Sequence, residues 1–263
     1  MPELPEVETV VRSIAPHVEG RRILSAEFLN QRVLRHCVDP NPESLQGRRI
    51  VQVRRRGKHI VMQLDEGVII IHLGMTGKLL INAPRSPHTR AIFTLEGVEL
   101  SFEDIRTFGS IEWTTCTIPE RMERLGPEPF DITPDEFFQR LKQRKTSIKA
   151  LLMNQTLVRG MGNIYVDEAL FRARIHPATQ ASRLSRVRAD RLHAAMLDVL
   201  RAAIGDGGSS ISDYVDGEGR RGSFQDRHAV YGREGKPCIS CGTPIRKIVL
   251  AQRGTHFCPR CQR

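Results

Sequence analysis

The sequence predicts an α+β protein of several domains, with a leading helix and an antiparallel β-sandwich, then a helical domain, then a C-terminal hairpin with four cysteines. Short runs of β-type residues separated by turn residues succeed one another between residues 23 and 102. Helical signals replace them after Gly126-Pro127-Glu128-Pro129. We therefore place the domains at residues 1–130, 131–230 and 231–263.

The first predicted element is a helix over residues 5–15. Pro5, followed by Glu6 and Glu8, is typical of a helix start, where proline fits and acidic side chains are favoured. Apolar residues then follow at spacings of three and four, namely Val7, Val10, Val11 and Ile14. This spacing predicts one buried helical face.

The strands of the sandwich follow this helix. Glu66-Gly67 and Glu96-Gly97 are predicted turns between successive β-type runs, which favours antiparallel neighbours. The predicted strands cover residues 23–29, 50–56, 60–64, 68–73, 79–82, 91–95 and 98–102.

The second half is predicted to be helical over residues 134–143, 147–154, 163–172 and 185–204. A glycine-rich turn, Gly160-Met161-Gly162, joins two of these helices, and Asn163 is the predicted N-cap of the second. Such a helix start can hold a phosphate, although a purely structural turn explains the residues equally well. Four nearby basic residues favour the phosphate, namely Arg144, Lys145, Lys149 and Arg159. Residues 205–225 have a loop composition without a clear period.

The charge balance indicates a polyanionic partner. Forty Lys and Arg residues against thirty Asp and Glu residues give a net charge of +10. Nucleic acid is the first candidate, and a merely basic protein is the alternative. The start of the chain lacks the features of a signal peptide, and no apolar run is long enough to span a bilayer. We therefore expect a cytoplasmic protein that does not contact a membrane.

Four of the six cysteines form two pairs, Cys238/Cys241 and Cys258/Cys261, with sixteen residues between the pairs. This spacing predicts one tetrahedral structural zinc site, since all four positions are filled by protein and none is open for catalysis. Its role would be to hold nearby cations in place, namely Arg246, Lys247, Arg253 and Arg260. Cys37 and Cys116 stand apart, which suits a reducing compartment better than a disulfide framework.

The N-terminus offers a nucleophile if Met1 is removed, because the chain then begins with the secondary amine of Pro2 beside Glu3. An α-amine has a pKa of about 8, so a substantial neutral fraction exists at physiological pH. Attack on a sugar C1′ would displace a base and leave an iminium that permits phosphate elimination. From composition alone, an ordinary helix lead-in is the favoured alternative.

Several segments together resemble the formamidopyrimidine-DNA glycosylase family over essentially the whole chain. They are Pro2–Thr9, His72–Gly77, Gly160–Tyr165 and the four-cysteine finger. The resemblance implies a bacterial, nucleoid-associated monomer with a helix-two-turn-helix element and a zinc-finger hairpin. Its activity would be base-excision repair by a combined glycosylase and abasic-site lyase. Its partner would be double-stranded DNA containing 8-oxoguanine, formamidopyrimidines or abasic sites, cut by β,δ-elimination.

The resemblance also assigns catalytic roles to individual residues. Pro2 matches the Schiff-base nucleophile, and Glu3 matches the group that protonates the opening sugar. Lys58 matches a lysine linked to phosphate contact and β-elimination. Arg253 matches the finger arginine linked to phosphate contact and δ-elimination.

DNA-contact residues follow from the same resemblance. Met75, Arg106 and Phe108 match the residues inserted into the duplex when the damaged nucleotide is flipped out, a step that leaves a gap to be filled. The segment Asp104–Gly109 departs from the common family pattern Asp-Pro-Arg-Arg-Phe-Gly. Five further residues match phosphate contacts or lie near DNA-contact positions, namely His72, His88, Arg144, Lys145 and Asn163.

Two other functions stay open at this point. The related endonuclease VIII group uses the same chemistry on oxidised pyrimidines, although Leu4–Val7 and the placement of Lys58 favour the purine enzyme. A non-catalytic zinc-finger protein that binds damaged DNA would also suit the charge and the finger. Such a protein has no use for a free proline amine, so the Pro2-Glu3 start favours the enzyme.

Overall fold

The computed structural model describes residues 1–35, 41–114 and 118–263, so Cys37 and Cys116 lie outside the described residues. The chain divides into two compact units. Unit 1 consists of Met1–Glu123 and Asp206–Gln225, and unit 2 consists of Arg124–Gly205 and Asp226–Arg263. The division into three domains at residues 130 and 230 stays a prediction.

Unit 1 contains a leading helix, eight strands and a short helix within its described residues. In chain order they are α1 (Leu4–Val18), β1 (Ile23–Phe28), β2 (Ile50–Arg56), β3 (His59–Leu64), β4 (Val68–His72), β5 (Lys78–Ile81), β6 (Thr89–Leu95), β7 (Val98–Glu103), β8 (Ser110–Thr114) and α2 (Glu120–Glu123). The strands form two antiparallel sheets, with orders β1-β6-β7-β5 and β2-β3-β4-β8. This confirms the predicted α+β class and the antiparallel N-terminal half.

One apolar cluster lies between these elements. It includes Val7 and Ile14 of α1, Ile60 of β3 and Phe93 and Phe102 of the other sheet. The run Val68–Ile71 is buried at every position, so β4 is covered on both faces. Unit 1 therefore has a continuous core that can hold its loops rigidly.

The leading helix is longer than predicted. It continues to Val18 although Pro16 lies inside it, whereas the sequence predicted an end at Ala15. Glu3 is its N-cap residue and Pro5 stands in its first turn. The second proline, Pro16, therefore lies in the last turn of α1 and does not end it.

Unit 2 contains helices followed by a hairpin. Its elements are α3 (Pro134–Lys142), α4 (Ile148–Met153), α5 (Asn163–Arg172), α6 (Arg186–Gly205), β9 (Arg246–Leu250) and β10 (Arg253–Phe257). Thr133 and Ser147 cap α3 and α4, because their hydroxyls accept from Glu136 N–H (3.2 Å) and Ala150 N–H (3.3 Å). The hairpin pairs β9 with β10 in antiparallel register. The helical region and the C-terminal hairpin are thus confirmed.

Residues 206–225 return to unit 1 and pack on its leading helix. Gly217 N–H donates to Ser13 Oγ (2.8 Å), and a Cβ at Gly217 would lie 2.3 Å from Ile14. Tyr214 is buried in the apolar cluster of unit 1 and donates to the carbonyl of Glu6 (3.2 Å). This segment therefore has the composition of a loop but packs specifically on α1 and on the core of unit 1.

In the ranges that the structure describes, no helix has the length and apolar character needed to cross a membrane.

Candidate catalytic and nucleic-acid-binding sites

The first turn of α1 holds two buried carboxylates beside Pro2, which is itself buried. Glu3 is 3% exposed and Glu6 is 2% exposed. They form a reciprocal capping box, in which Glu3 N–H donates to Glu6 Oε2 (2.7 Å) and the Glu3 side chain accepts from Glu6 N–H. Glu6 Oε1 also accepts from Ser209 N–H (2.7 Å). The position of Glu3 is therefore set by helix geometry.

The terminal amine of Met1 is within electrostatic reach of both carboxylates and of two cations. Burial lowers the pKa of the Met1 ammonium, while Glu3 and Glu6 oppose this effect. The charges of Lys58 and Arg106 lower the same pKa further. The structure thus places the terminus within electrostatic reach of Glu3 and Lys58, two of the predicted catalytic residues, and of Arg106, a predicted DNA-contact residue.

Lys58 lies in the tight turn between β2 and β3. Gly57 has φ of +60°, a conformation that favours glycine, and Lys58 is only 8% exposed. Its charge also acts on His72, where burial and then Lys58 lower the pKa to about 4. Lys58 therefore lies within electrostatic reach of both the terminus and His72.

His72 presents one defined donor. Its Nδ1 accepts from Gly74 N–H (3.1 Å), so in the neutral ring the proton is on Nε2. The ring of His59 lies 4.9 Å from that of His72, and burial lowers the pKa of His59 to about 3. Both rings are neutral at neutral pH, and His72 Nε2–H can donate to an anion.

Met75, Arg106 and Phe108 form an exposed cluster on two adjoining loops. Met75 is 43% exposed and Phe108 is 48% exposed, with the Arg106 guanidinium 4.7 Å from the Phe108 ring centre. Gly74 allows the loops to meet, since a Cβ there would lie 2.5 Å from Gly109 N. Two apolar side chains and one cation therefore protrude from a closely packed backbone.

Asp104 organises these loops, a role that the sequence analysis missed. It is fully buried and accepts from Gly109 N–H (2.7 Å), Thr76 Oγ1 (2.5 Å) and Arg106 N–H (3.2 Å). An aspartate directly after a strand and before a loop was the available signal. Thr107, at a position where the chain departs from the family pattern, has φ of +52°. The difference from the family pattern at Thr107 therefore lies at a strained backbone position.

The remaining predicted DNA contacts lie on exposed turns. His88 is exposed in unit 1, and its carbonyl accepts from Asp104 N–H (2.9 Å), which places its backbone against the loop organiser. Arg144 and Lys145 are exposed between α3 and α4 of unit 2. Arg253 is exposed at the first position of β10.

Two expectations about the glycine-rich turn are wrong. Gly162 is the N-cap of α5, and the side chain of Asn163 instead donates to Gly254 O (3.0 Å) and accepts from Lys149 Nζ (2.6 Å). Lys149 is completely buried, and Arg159 pairs with Glu128 (2.7 Å). These two cations were expected to favour a phosphate, but they have protein partners that only the tertiary structure reveals.

The four cysteines of unit 2 form a metal centre. Their sulfur atoms lie within 4.8 Å of one another, with 3.9 Å between Cys238 and Cys261 and 3.5 Å between Cys241 and Cys258. A tetrahedral zinc with Zn–S bonds of about 2.3 Å needs S···S separations of about 3.8 Å. The donor set and spacing fit one structural zinc ion, as the sequence predicted.

Three known domain families match successive parts of the chain. The formamidopyrimidine-DNA glycosylase N-terminal domain matches residues 1–111, and the H2TH domain of the same enzyme matches residues 125–215. A zinc finger found in FPG and IleRS matches residues 235–263.

Individual relatives agree with these matches. A formamidopyrimidine-DNA glycosylase of Solibacter usitatus is 55% identical, with 100% of both chains covered. The crystal structure of the MutM (Fpg) protein of Thermus thermophilus is 44% identical with a TM-score of 0.91, covering 99% of this chain and 98% of that one. A complex of Lactococcus lactis Fpg with DNA containing an abasic site is 37% identical with a TM-score of 0.91, covering 99% of each chain.

Proposed function

Because the chain belongs to the formamidopyrimidine-DNA glycosylase family, it is a base-excision-repair DNA glycosylase for oxidised purines, and we propose that Pro2 is its nucleophile. The observation that carries this proposal is the cluster at the terminus. A buried Pro2 and Glu3 lie at the start of α1, and Lys58 and Arg106 act on the terminal amine. Its substrates are 8-oxoguanine, formamidopyrimidines and abasic sites in duplex DNA.

The first step follows from the chemistry of a secondary amine. After removal of Met1, the Pro2 nitrogen attacks the sugar C1′, the C1′–N bond to the base breaks, and the base leaves with the electron pair. The Glu3 carboxyl group gives a proton to the ring oxygen as the sugar opens. In the chain that retains Met1, burial lowers the pKa of the terminal amine, with Glu3 and Glu6 opposing and Lys58 and Arg106 adding to this effect. We propose that the same surroundings favour the neutral, nucleophilic form of the Pro2 amine.

The iminium then allows strand cleavage. It acidifies the C2′ proton, and loss of that proton expels the 3′ phosphate; a second elimination expels the 5′ phosphate. Lys58 assists the first elimination through its phosphate contact, and Arg253 assists the second. Both are cations that stabilise the charge of a leaving phosphate.

The exposed loops suit a flipped nucleotide. Met75 and Phe108 fill the gap in the duplex, and Arg106 hydrogen-bonds the orphaned base, usually cytosine. His72 donates its Nε2–H to a phosphate, and Asn163 contacts a second phosphate. Weaker contacts with the DNA phosphate backbone come from His88, Arg144 and Lys145.

The zinc ion supplies structure only, because the four cysteines fill its coordination sphere. It keeps the finger folded so that Arg253 stays on an ordered hairpin. We place this activity in the bacterial cytoplasm, at the nucleoid, where its duplex substrate is found.

Substrate choice is tested by excision from matched duplexes. One carries 8-oxoguanine opposite cytosine, a second carries a formamidopyrimidine, and a third carries thymine glycol as an oxidised pyrimidine. We expect rapid excision of both purine lesions with β,δ-elimination products. Preferential excision of thymine glycol would instead favour the endonuclease VIII type of specificity, and binding without excision would favour a damaged-DNA binder.

A further inference from the structure

A buried ion pair in unit 2 is not used by the proposed chemistry. Lys149 of α4 and Asp167 of α5 are both 0% exposed at their side chains, with Lys149 Nζ 2.5 Å from Asp167 Oδ1. Lys149 Nζ also donates to Asn163 Oδ1 (2.6 Å). Asp167 accordingly has one oxygen committed to Lys149.

The second oxygen of Asp167 reaches the finger. Asp167 Oδ2 accepts from His256 N–H on β10 (2.9 Å). Asn163 Nδ2 donates to Gly254 O (3.0 Å), directly after Arg253 in the chain. Two side chains of α5 therefore hold the backbone of β10 on either side of the buried Thr255, close to the exposed Arg253.

Stability alone does not account for this arrangement. Removing both charges from water has a desolvation cost that often offsets the attraction, so a buried pair is weak evidence of net stabilisation. The geometry instead fixes the position of β10 on α5. A carboxylate accepts at both oxygens, and Asp167 uses one for Lys149 Nζ and the other for His256 N–H. A nearby carboxylate, Glu168, likewise accepts from Ala229, Val230 and Tyr231 N–H at 2.8–3.0 Å. Helix α5 thus holds both β10 and the segment that precedes the finger.

We propose that Asp167 is a positioning residue that fixes β10 on α5, so that Arg253 keeps the orientation required for the second elimination. This inference rests on the proposed function. In that step the C4′ proton is lost to water, the C5′–O bond breaks, and the 5′ phosphate leaves with the electron pair. A guanidinium assists only if it is aligned with the leaving phosphate, whereas base excision uses groups of unit 1.

The test uses Asp167→Asn in the full-length zinc protein. Asparagine has one acceptor oxygen and one donor nitrogen, so it cannot serve both Lys149 and His256 N–H. The matched control is Asp190→Asn, which removes an exposed pair with Arg186 on α6. Four quantities are measured: zinc content, borohydride trapping on an 8-oxoguanine duplex, the ratio of β,δ- to β-product on an abasic duplex, and hydrogen exchange across residues 246–257.

We expect Asp167→Asn to keep its zinc and to trap within about threefold of wild type, while hairpin exchange accelerates and the β,δ-to-β ratio falls about tenfold. Arg253→Ala should give the same product shift without faster exchange. Asp190→Asn should match wild type in every measurement. An unchanged exchange rate, or a loosened hairpin with a wild-type product ratio, would overturn the proposal.

A second variant controls for misfolding, because Asp167→Asn leaves the buried Lys149 without its charged partner. Lys149→Met combined with Asp167→Leu replaces the pair by apolar side chains, a change that is often tolerated. It should show the same loosened hairpin and product shift. Loss of zinc in both variants would contradict the proposal, since the pair would then be required for folding. A wild-type protein that neither traps nor cleaves would count against the proposed function instead.

Discussion

The predicted catalytic residues of unit 1 and the predicted catalytic arginine of the finger are held in different ways. In unit 1, Glu3 and Lys58 are buried and their positions follow from a helix start and a tight β-turn on a continuous apolar core. In unit 2, Arg253 is exposed on a hairpin next to a small cluster that includes Phe171, Val230 and Ile245 with the zinc-site cysteines. Glu3 and Lys58 are thus held by the main core of unit 1, and Arg253 by a small metal-closed module with hydrogen bonds to α5.

This comparison predicts that mutations can separate the chemistry of unit 1 from the contribution of the finger. Unit 1 should tolerate loss of the finger because its core is its own. The finger should not tolerate loss of zinc, since its apolar cluster is small and its folding free energy comes mostly from the metal.

The largest expected effect is on the chemistry of unit 1. Glu3→Gln keeps an acceptor for the N–H of Glu6 but removes the proton donor, so excision of 8-oxoguanine should slow by about 100-fold or more. Single-turnover kinetics measure the rate, and binding affinity should stay within about threefold. Glu123→Gln, at an exposed position in the same unit, is the control. A wild-type rate for Glu3→Gln would exclude Glu3 as the acid.

The next effect concerns the finger. Cys258→Ser should lose zinc and weaken binding of lesion duplex by at least about tenfold, because the finger's phosphate contacts disappear with its fold. Circular dichroism should retain the β-sheet signal of unit 1. Cys37→Ser, outside the paired cysteines, should leave zinc content and affinity unchanged. Loss of zinc with full affinity would show that the finger does not hold DNA.

Arg106 should have a more selective effect. Arg106→Ala should reduce discrimination among bases opposite the lesion by about 1–3 kcal/mol, since one specific base contact is lost. Excision is compared across four opposite bases, with the exposed Arg12→Ala as control. Equal losses for every opposite base would assign Arg106 to phosphate contact or to the fold.

The last of these effects concerns the pH dependence of stability and not activity. Burial lowers the pKa of His59 to about 3, below the ordinary value of 6.5, so between these values the unfolded chain binds the additional proton. Stability is therefore lost as pH falls from about 6.5 towards 3, by up to about 1.4 kcal/mol per pH unit for this residue. His59→Phe should flatten the decline in the free energy of unfolding, measured by urea denaturation, by up to this amount per pH unit over that range. The same slope in variant and wild type would show that His59 is not buried in its neutral form.

The sequence predicts most of the fold because local signals and the tertiary structure agree. The predicted strand at residues 50–56 is β2, and α3 differs from its prediction by one residue. Strand β8 (Ser110–Thr114) was missed, since it directly follows the irregular Asp104–Gly109 loop.

The finer parts of the site depend on contacts that no local pattern encodes. Glu6 meets Ser209 across 203 positions, and Asp167 meets His256 across 89. Lys149 is a basic residue near the glycine-rich turn and was expected to favour a phosphate. It is instead buried in an ion pair with Asp167 of α5. Such positions can be found from the tertiary structure but not from spacing.

The nucleophile is tested most directly by comparing two forms of the terminus. With Met1 attached, the Pro2 nitrogen is a tertiary amide whose lone pair is delocalised, so it cannot attack C1′. Mass spectrometry first establishes which terminus each sample carries, and both are then treated with borohydride on an 8-oxoguanine duplex. The proline mechanism predicts that both forms bind the duplex and that only the form lacking Met1 yields a trapped adduct. Excision by the verified Met1 form at the processed rate would contradict it, and a lysine such as Lys58 would have to be the nucleophile.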